Sequence, residues 1–339
     1  MECPATPTWR KPVMRATVLA SCLLSVLAFA AAPANAHPLE RSTSPQKAPA
    51  TLPSMCGTGL KAPAQFRHVI VIMDENHSYG DIIGNKSAPY ENQLAKTCGL
   101  ATNYHAVMHL SYYDYSAATS GQAYPPGDAP SIFQQMTNHG MTWGSYEQSM
   151  PKQCLHTDAY PYESGHNPPP RYHNIAAACL KYDVTMGSPT SGPLNTALVQ
   201  QKLPNFVWLT PDKCHDMHDN CYGTQVLTGD RWIQAWVTRI VHSHAYQAGG
   251  TAIFITWDEG WEPDLNSHNH ESCIGRNNDE SCHVATLVIS PYTPHGIRSA
   301  GFFNHYSLLK TSEQLLGMPE YLGAAKAAST VSMRGAFHL

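Results

Sequence analysis

The sequence predicts an α/β domain built on a mostly parallel central sheet with helices on both faces. Three observations point there. Four short runs rich in Val, Ile and Phe read as strands, and the runs at 69–73, 252–255 and 284–289 are apolar without alternation, as in strands covered on both sides. Helical patterns separate them. Three of the four end in polar clusters, and open parallel sheets carry their ligands at the carboxyl ends of their strands.

Along the chain, residues 1–36 stand apart. Arg10, Lys11 and Arg15 precede the apolar run "ATVLASCLLSVLAFAAA", which closes on "ANA" before His37. These are the parts of an export signal with an A-x-A cleavage site. A membrane anchor competes, but the Leu/Val-rich part is short for a span and no stop-transfer charges follow. "LASC", ending at Cys22, also suits lipoprotein cleavage. The expectation is simple export, to the periplasm or outside, with the mature chain starting near His37 and no transmembrane anchor. Residues 37–65, rich in Pro, Ser, Ala and Lys, read as a flexible entry segment, and residues 66–339 as one domain.

Within that domain the strand candidates are "FRHVIVIM" (66–73), "NFVWLT" (205–210), "TAIFITW" (251–257) and "VATLVIS" (284–290). Helical periodicity falls near 90–97, 114–120, 130–139, 193–201, 230–246 and 305–316. Two stretches lack periodicity: 148–170, with Pro168, Pro169 and Pro170, and the His-, Asn- and Cys-rich 260–282. Long irregular loops on a rigid sheet commonly shape a binding site.

Charge and cysteines narrow the class. The whole chain has a formal charge of −4; losing residues 1–36 removes three basic residues and one acidic residue and leaves −6. A mildly acidic chain without a basic run is a poor nucleic-acid binder. Ten cysteines become eight once Cys3 and Cys22 leave, an even number suited to an oxidising compartment. Local closure favours Cys214–Cys221 and Cys273–Cys282, with Cys154–Cys179 and Cys56–Cys98 as longer loops, although spacing alone does not fix the pairing. "CHDMHDNC" (214–221) also reads as a zinc site of cysteines and histidines.

The polar strand ends carry the chemistry. "VIVIMDENHSYGD" (69–81) drops from a buried strand straight into Asp74, Glu75, Asn76 and His77. Glu75, Asn76, Asp258 and Glu259, if brought together, form an anionic oxygen pocket for a hard divalent cation; without one, at least one carboxyl would stay protonated. A glycosidase-type carboxylate pair is the alternative, and it leaves Asn76 and the histidines without a role. Ser111 opens a helix-like segment, where backbone N–H groups favour an anion. It reads equally as an N-cap with Asp114 as its capping-box partner.

Six blocks in order carry a resemblance: "HVIVIMDENHSYGDIIGNKSAPY", "NYHAVMHLSYYDYSAATSG", "LPNFVWLTPDKCHDMHD", "TWDEG", "VATLVISPY" and "FNHYSLLKTSEQLLGMP". With these the chain resembles the secreted phosphoesterase family of bacterial acid phosphatases and phospholipases C, within the alkaline-phosphatase-like superfamily, and most nearly its short mycobacterial-type acid phosphatases. The resemblance implies an alkaline-phosphatase-like three-layer sandwich. It also implies one divalent cation (calcium, magnesium or manganese ahead of zinc) held by Glu75, Asn76, Ser111, Asp258 and Glu259. Ser111 matches the nucleophile. His218 and His305 match positions that bind or protonate phosphate, and His109 opens the nucleophile block. The family pattern there is close to H-P-S-x-P-N-Y, whereas this chain has Leu110, Tyr113 and Asp114. Asp114 is therefore expected to work protonated or to touch the cation. Asp216 and Asp219 are candidates to orient histidines.

The expected function is an exported, metal-dependent acid phosphatase that cleaves phosphomonoesters through a phosphoserine. Its partners would be a phosphorylated small molecule or a phospholipid or phosphoinositide headgroup. A phospholipase C-type phosphodiesterase is the alternative, set back because the extra C-terminal region of the larger phospholipases has no counterpart here. A catalytically weak phosphate- or lipid-binding protein is the third reading.

Overall fold

The computed structural model describes residues 54–125, 127–261 and 271–339. The expected export signal, the entry segment up to residue 53 and the 262–270 part of the long loop lie outside the described residues.

The strands are β1 (His68–Asp74), β2 (Gly99–His105), β3 (Trp143–Glu147), β4 (Asp183–Thr185), β5 (Phe206–Thr210), β6 (Thr251–Trp257), β7 (His283–Ile289), β8 (Arg298–Ser299) and β9 (Phe303–Asn304). They form one sheet in the order β4-β3-β5-β1-β6-β7-β2-β8, with β9 also on β2. All four apolar runs are strands, and β1 and β6 pair in parallel from His68 with Thr251 to Asp74 with Trp257. From Val69 onward β1 is buried at every position, as are β5 and β6 throughout. Because successive side chains point to opposite faces, both faces must be covered.

One strand departs from the parallel expectation. β7 runs antiparallel to both neighbours, β6 and β2. The connection from Trp257 returns at the same end of the sheet, so no crossover is needed. Uninterrupted apolarity reports two-sided covering and says nothing of direction. β2, β3 and β4 escape sequence reading because polar residues such as Asn103, Ser145, Glu147 and Asp183 interrupt them.

The helices are α1 (Tyr79–Ile82), α2 (Pro89–Thr97), α3 (Ser111–Ser120), α4 (Ile132–Asn138), α5 (Ala176–Tyr182), α6 (Pro193–Val199), α7 (Gln225–Val241), α8 (His244–Gln247) and α9 (His305–Leu315). α2 packs on α7, α7 on α8 and α8 on α6; α3 packs on α9 and α4. These are two helical layers about a buried sheet.

The four cysteine pairs favoured by local closure are disulfides: Cys56–Cys98, Cys154–Cys179, Cys214–Cys221 and Cys273–Cys282. The zinc reading of 214–221 therefore falls, since both thiolates are consumed. Residues 54–65, read as part of a flexible entry, lack regular structure but are fastened. Cys56 is bonded to Cys98, Gly57 donates to the Thr293 carbonyl, and Arg334 donates to the Pro63 and Ala64 carbonyls. Among the described residues no helix is long and apolar enough to cross a membrane.

Candidate active site at the carboxyl ends of the strands

Three strand extensions are stitched together at one edge of the sheet. The Asp258 N–H donates to the Asp74 carbonyl, and the Glu75 N–H donates to the Asp216 carbonyl. The segments after β1, β5 and β6 thus converge, as their polar ends predict.

Three residues in this region have left-handed backbone without being glycine: Asn76 (φ 43°), Leu110 (φ 106°) and Met217 (φ 77°). Asparagine tolerates that region; Leu and Met do so at a cost of about 1–3 kcal/mol each, and such strain gathers at functional sites. Leu110 turns the chain so that Ser111 opens α3, a ten-residue helix whose first N–H groups, those of Ser111 and Tyr112, have no intrahelical acceptor.

Around that serine the sequence-predicted residues gather. Ser111 Oγ donates to Glu75 Oε2 at 2.9 Å, and Tyr115 Oη donates to Glu75 Oε1 at 2.6 Å. The Asn76 N–H donates to Asp258 Oδ1 at 3.1 Å, and Asn76 Nδ2 to Glu259 Oε1 at 3.2 Å. Glu259 is otherwise occupied: the Leu110 N–H donates to its Oε1 at 3.0 Å and His109 Nδ1 lies 2.7 Å from its Oε2. It holds the strained turn and the asparagine, whereas the resemblance made it an open ligand.

Several ligand-type atoms at this edge are buried without a hydrogen-bond partner among the described residues: Asn76 Oδ1, Asp258 Oδ2, Asp216 Oδ2 and His166 Nδ1. Unpaired buried polar atoms are costly. Burial, and then the charges of Asp258 and Asp216, push the Glu75 carboxyl well above the ordinary range. Burial and the Glu259 charge raise Asp258 as well. Oxygens crowded together against their own repulsion fit a divalent cation, and Glu75, Asn76, Asp258 and Ser111 can hold one.

The other expected residues take different places. His305 is fully buried: Nε2 donates to the Asp258 carbonyl at 2.5 Å, and Nδ1 accepts from Tyr104 Oη at 3.0 Å. Burial lowers its pKa to about 4. It has no open nitrogen for a phosphate, contrary to the role the resemblance implied. Asp114 turns one oxygen back onto the Val107 and Met108 N–H groups, at 2.7 and 3.1 Å, with His305 Nε2 3.3 Å away. It splints the segment before Ser111. Burial, then Glu259 and Asp258, raise its carboxyl well above the usual value. Its Oδ1 thus has backbone partners, while Oδ2 is buried without a hydrogen-bond partner among the described residues. His109, also buried, packs its Nε2 against the Cys273 and Cys282 sulfurs at 3.6 and 3.5 Å. His218 is partly open, with Nδ1 2.7 Å from Asp219 Oδ1 and its N–H bonded to Asp216 Oδ1.

His166 and Tyr115 were not read from the sequence. His166 lies in the Pro-rich stretch without periodicity, stacks on Tyr115 with centroids 5.5 Å apart, and places Nδ1 3.4 Å from Glu75 and 3.3 Å from Asp216. The signal available was the irregularity of 148–170 itself.

Known proteins agree with this architecture. The profile of the phosphoesterase family matches residues 85–319. A phosphatidylinositol-3-phosphatase of Mycobacterium tuberculosis is 23% identical over 274 residues, covering 78% of this chain and 81% of its own length. An acid phosphatase of Aspergillus fumigatus is 21% identical over 274 residues, covering 75% of this chain and 56% of its own. Among solved structures, a protein in the alkaline phosphatase superfamily from Vibrio parahaemolyticus is similar with a TM-score of 0.50 at 13% identity, over 78% of this chain and 71% of that one. The last likeness bears on the fold alone. The sequence match establishes that the chain belongs to the phosphoesterase family, whose members hydrolyse phosphate esters.

Proposed function

We propose that this phosphoesterase is an exported, metal-dependent phosphomonoesterase that uses Ser111 as its nucleophile. The observation that carries the reading is the Ser111 hydroxyl at the N-terminus of α3, 2.9 Å from the Glu75 carboxylate and beside the unpaired oxygens of Asn76 and Asp258.

Glu75 orients the Ser111 hydroxyl, which gives up its proton to water as Oγ attacks phosphorus. The Oγ–P bond forms, the ester P–O bond breaks, and the alcohol leaves with a proton donated by His218, the partly open histidine at this edge. Water then hydrolyses the phosphoserine. The N–H groups of the α3 N-terminus stabilise the phosphoryl oxygens. Glu75, Asn76, Asp258 and Ser111 would hold a divalent cation, which would supply positive charge beside the phosphoryl group. Glu259, His109, Asp114 and His305 hold these groups in position. Export is supported by the signal-like N-terminus and four disulfides. A phosphoinositide headgroup or a phosphorylated small molecule is the proposed substrate, the former supported by the name of the mycobacterial relative.

The test compares a nitrophenyl monoester with its diester, with and without chelator, in the wild type and Ser111→Ala. Monoester turnover that disappears with chelator and with Ser111→Ala supports the reading, as does phosphate trapped on Ser111 after acid quench. Turnover that survives Ser111→Ala removes the serine mechanism, and preference for the diester moves the assignment to phospholipase C-type chemistry.

A further inference from the structure

The Glu75 carboxylate has two sides. Oε2 takes the Ser111 hydroxyl, and the next residue, Asn76, donates its N–H to Asp258. Oε1 lies 3.4 Å from His166 Nδ1, which is itself 3.3 Å from Asp216 Oδ2. All three residues are buried, and the three atoms lie within 4.8 Å of one another. His166 Nδ1 and Asp216 Oδ2 make no hydrogen bond among the described residues, although they sit at ion-pair distance.

The two edges that meet at His166 Nδ1 match ligands about a small cation. With bonds of about 2.0–2.1 Å, the edges of a tetrahedron of ligands measure about 3.3–3.4 Å. Nearby bonds fix each group's orientation. Asp216 Oδ1 is tied to the His218 N–H, Tyr115 both bonds Glu75 and stacks on His166, and Thr210 donates to the His166 carbonyl. Two other clusters bring ligand atoms equally close, His109 with Cys273 and Cys282, and Cys154 with Cys179 and Asp183, but their sulfurs are joined in disulfides.

We propose that Glu75, His166 and Asp216 form a second cation site, with Glu75 bridging it to the oxygen-only site of Asn76, Asp258 and Ser111. The inference rests on the metal-dependent reading above and extends it from one ion to two. An imidazole among the ligands selects a borderline cation such as zinc or cobalt, whereas the oxygen-only side suits a harder one.

Chelator-stripped protein is titrated with Zn²⁺ and Mn²⁺ together, and total bound metal is measured by elemental analysis in the wild type, His166→Gln, Asp216→Asn and Asn76→Ala. The expected result is two ions per wild-type chain and one in each variant, with His166→Gln and Asn76→Ala losing different ions. Co²⁺ absorption separates them, because the imidazole-ligated ion disappears only in His166→Gln and Asp216→Asn. One ion in the wild type, or two retained in His166→Gln, overturns the proposal. Should the variants fail to fold, zinc-edge X-ray absorption of the wild type decides: imidazole scattering from the bound zinc supports the site, and its absence overturns it. The two ideas fail separately. Serine-dependent turnover with one bound ion keeps the phosphatase and removes the second site, whereas two ions without turnover do the reverse.

Discussion

His109 Nδ1 stands 2.7 Å from Glu259 Oε2, and the two side chains are almost wholly buried. Glu259 in turn receives the N–H of the strained Leu110 and the amide of Asn76, so in the proposed mechanism His109 would act through a neighbour. His109→Ala is expected to lower kcat by about 10–100-fold, the usual cost of losing an orienting partner beside a metal site, with much less change in KM. His109→Gln, able to donate to Glu259, should recover part of that loss. Steady-state kinetics of the two variants provide the check, and equal loss in both would remove the orienting role.

The loop closed by Cys273–Cys282 clamps the same segment from outside. The Ala106 N–H donates to the Cys282 carbonyl, the Cys273 N–H to the Val107 carbonyl, and the His109 N–H to the Glu271 carbonyl. Replacing both cysteines by serine should lower monoester turnover more than it lowers melting temperature. The clamp holds the approach to Ser111, while the core lies on both faces of the sheet away from it. Calorimetry and kinetics on the double variant test this; unchanged turnover would show that the loop is dispensable.

Asp114 separates two of its possible roles by substitution. Its Oδ1 accepts two backbone N–H groups inside the protein. Asp114→Ala leaves these donors unpaired and should cost about 1–3 kcal/mol each at most, measurable in urea unfolding. Asp114→Asn keeps an acceptor and should fold nearly as well, with metal affinity unchanged. A large fall in metal affinity in Asp114→Asn would return Asp114 to the cation.

Away from the site, Glu313 gives a pH prediction. Burial raises its carboxyl to about 8, although the Leu322 N–H bond pulls the other way. The folded chain keeps a proton that the unfolded chain releases near its ordinary value of about 4.3. The wild type therefore loses stability as pH rises from that value through about 8. Glu313→Gln should melt with the wild type at pH near 4 and above it at pH 8 and higher. A difference independent of pH would show that Glu313 does not titrate in this window.

Legibility followed the range of the physics. The strand "VIVIMD" declares itself because solvent is excluded from both faces of β1, and its polar end at Glu75 and Asn76 is visible for the same reason. Ser111 and Asp258 were readable as the polar starts and ends of regular elements. The strand β2 was hidden by Asn103, and His166 by a loop whose shape no period describes.

By itself the sequence determined the four apolar strands and which strand ends carry acids, and it favoured the short cysteine loops, because local patterning and chain closure depend on near neighbours. Tertiary structure decided the rest. It ran β7 antiparallel, buried His305 with both nitrogens engaged, turned Asp114 onto backbone and Glu259 onto His109, and set His166 between Glu75 and Asp216. The orientation of a polar side chain depends on which partners burial leaves within reach, and those partners come from segments far apart in the chain.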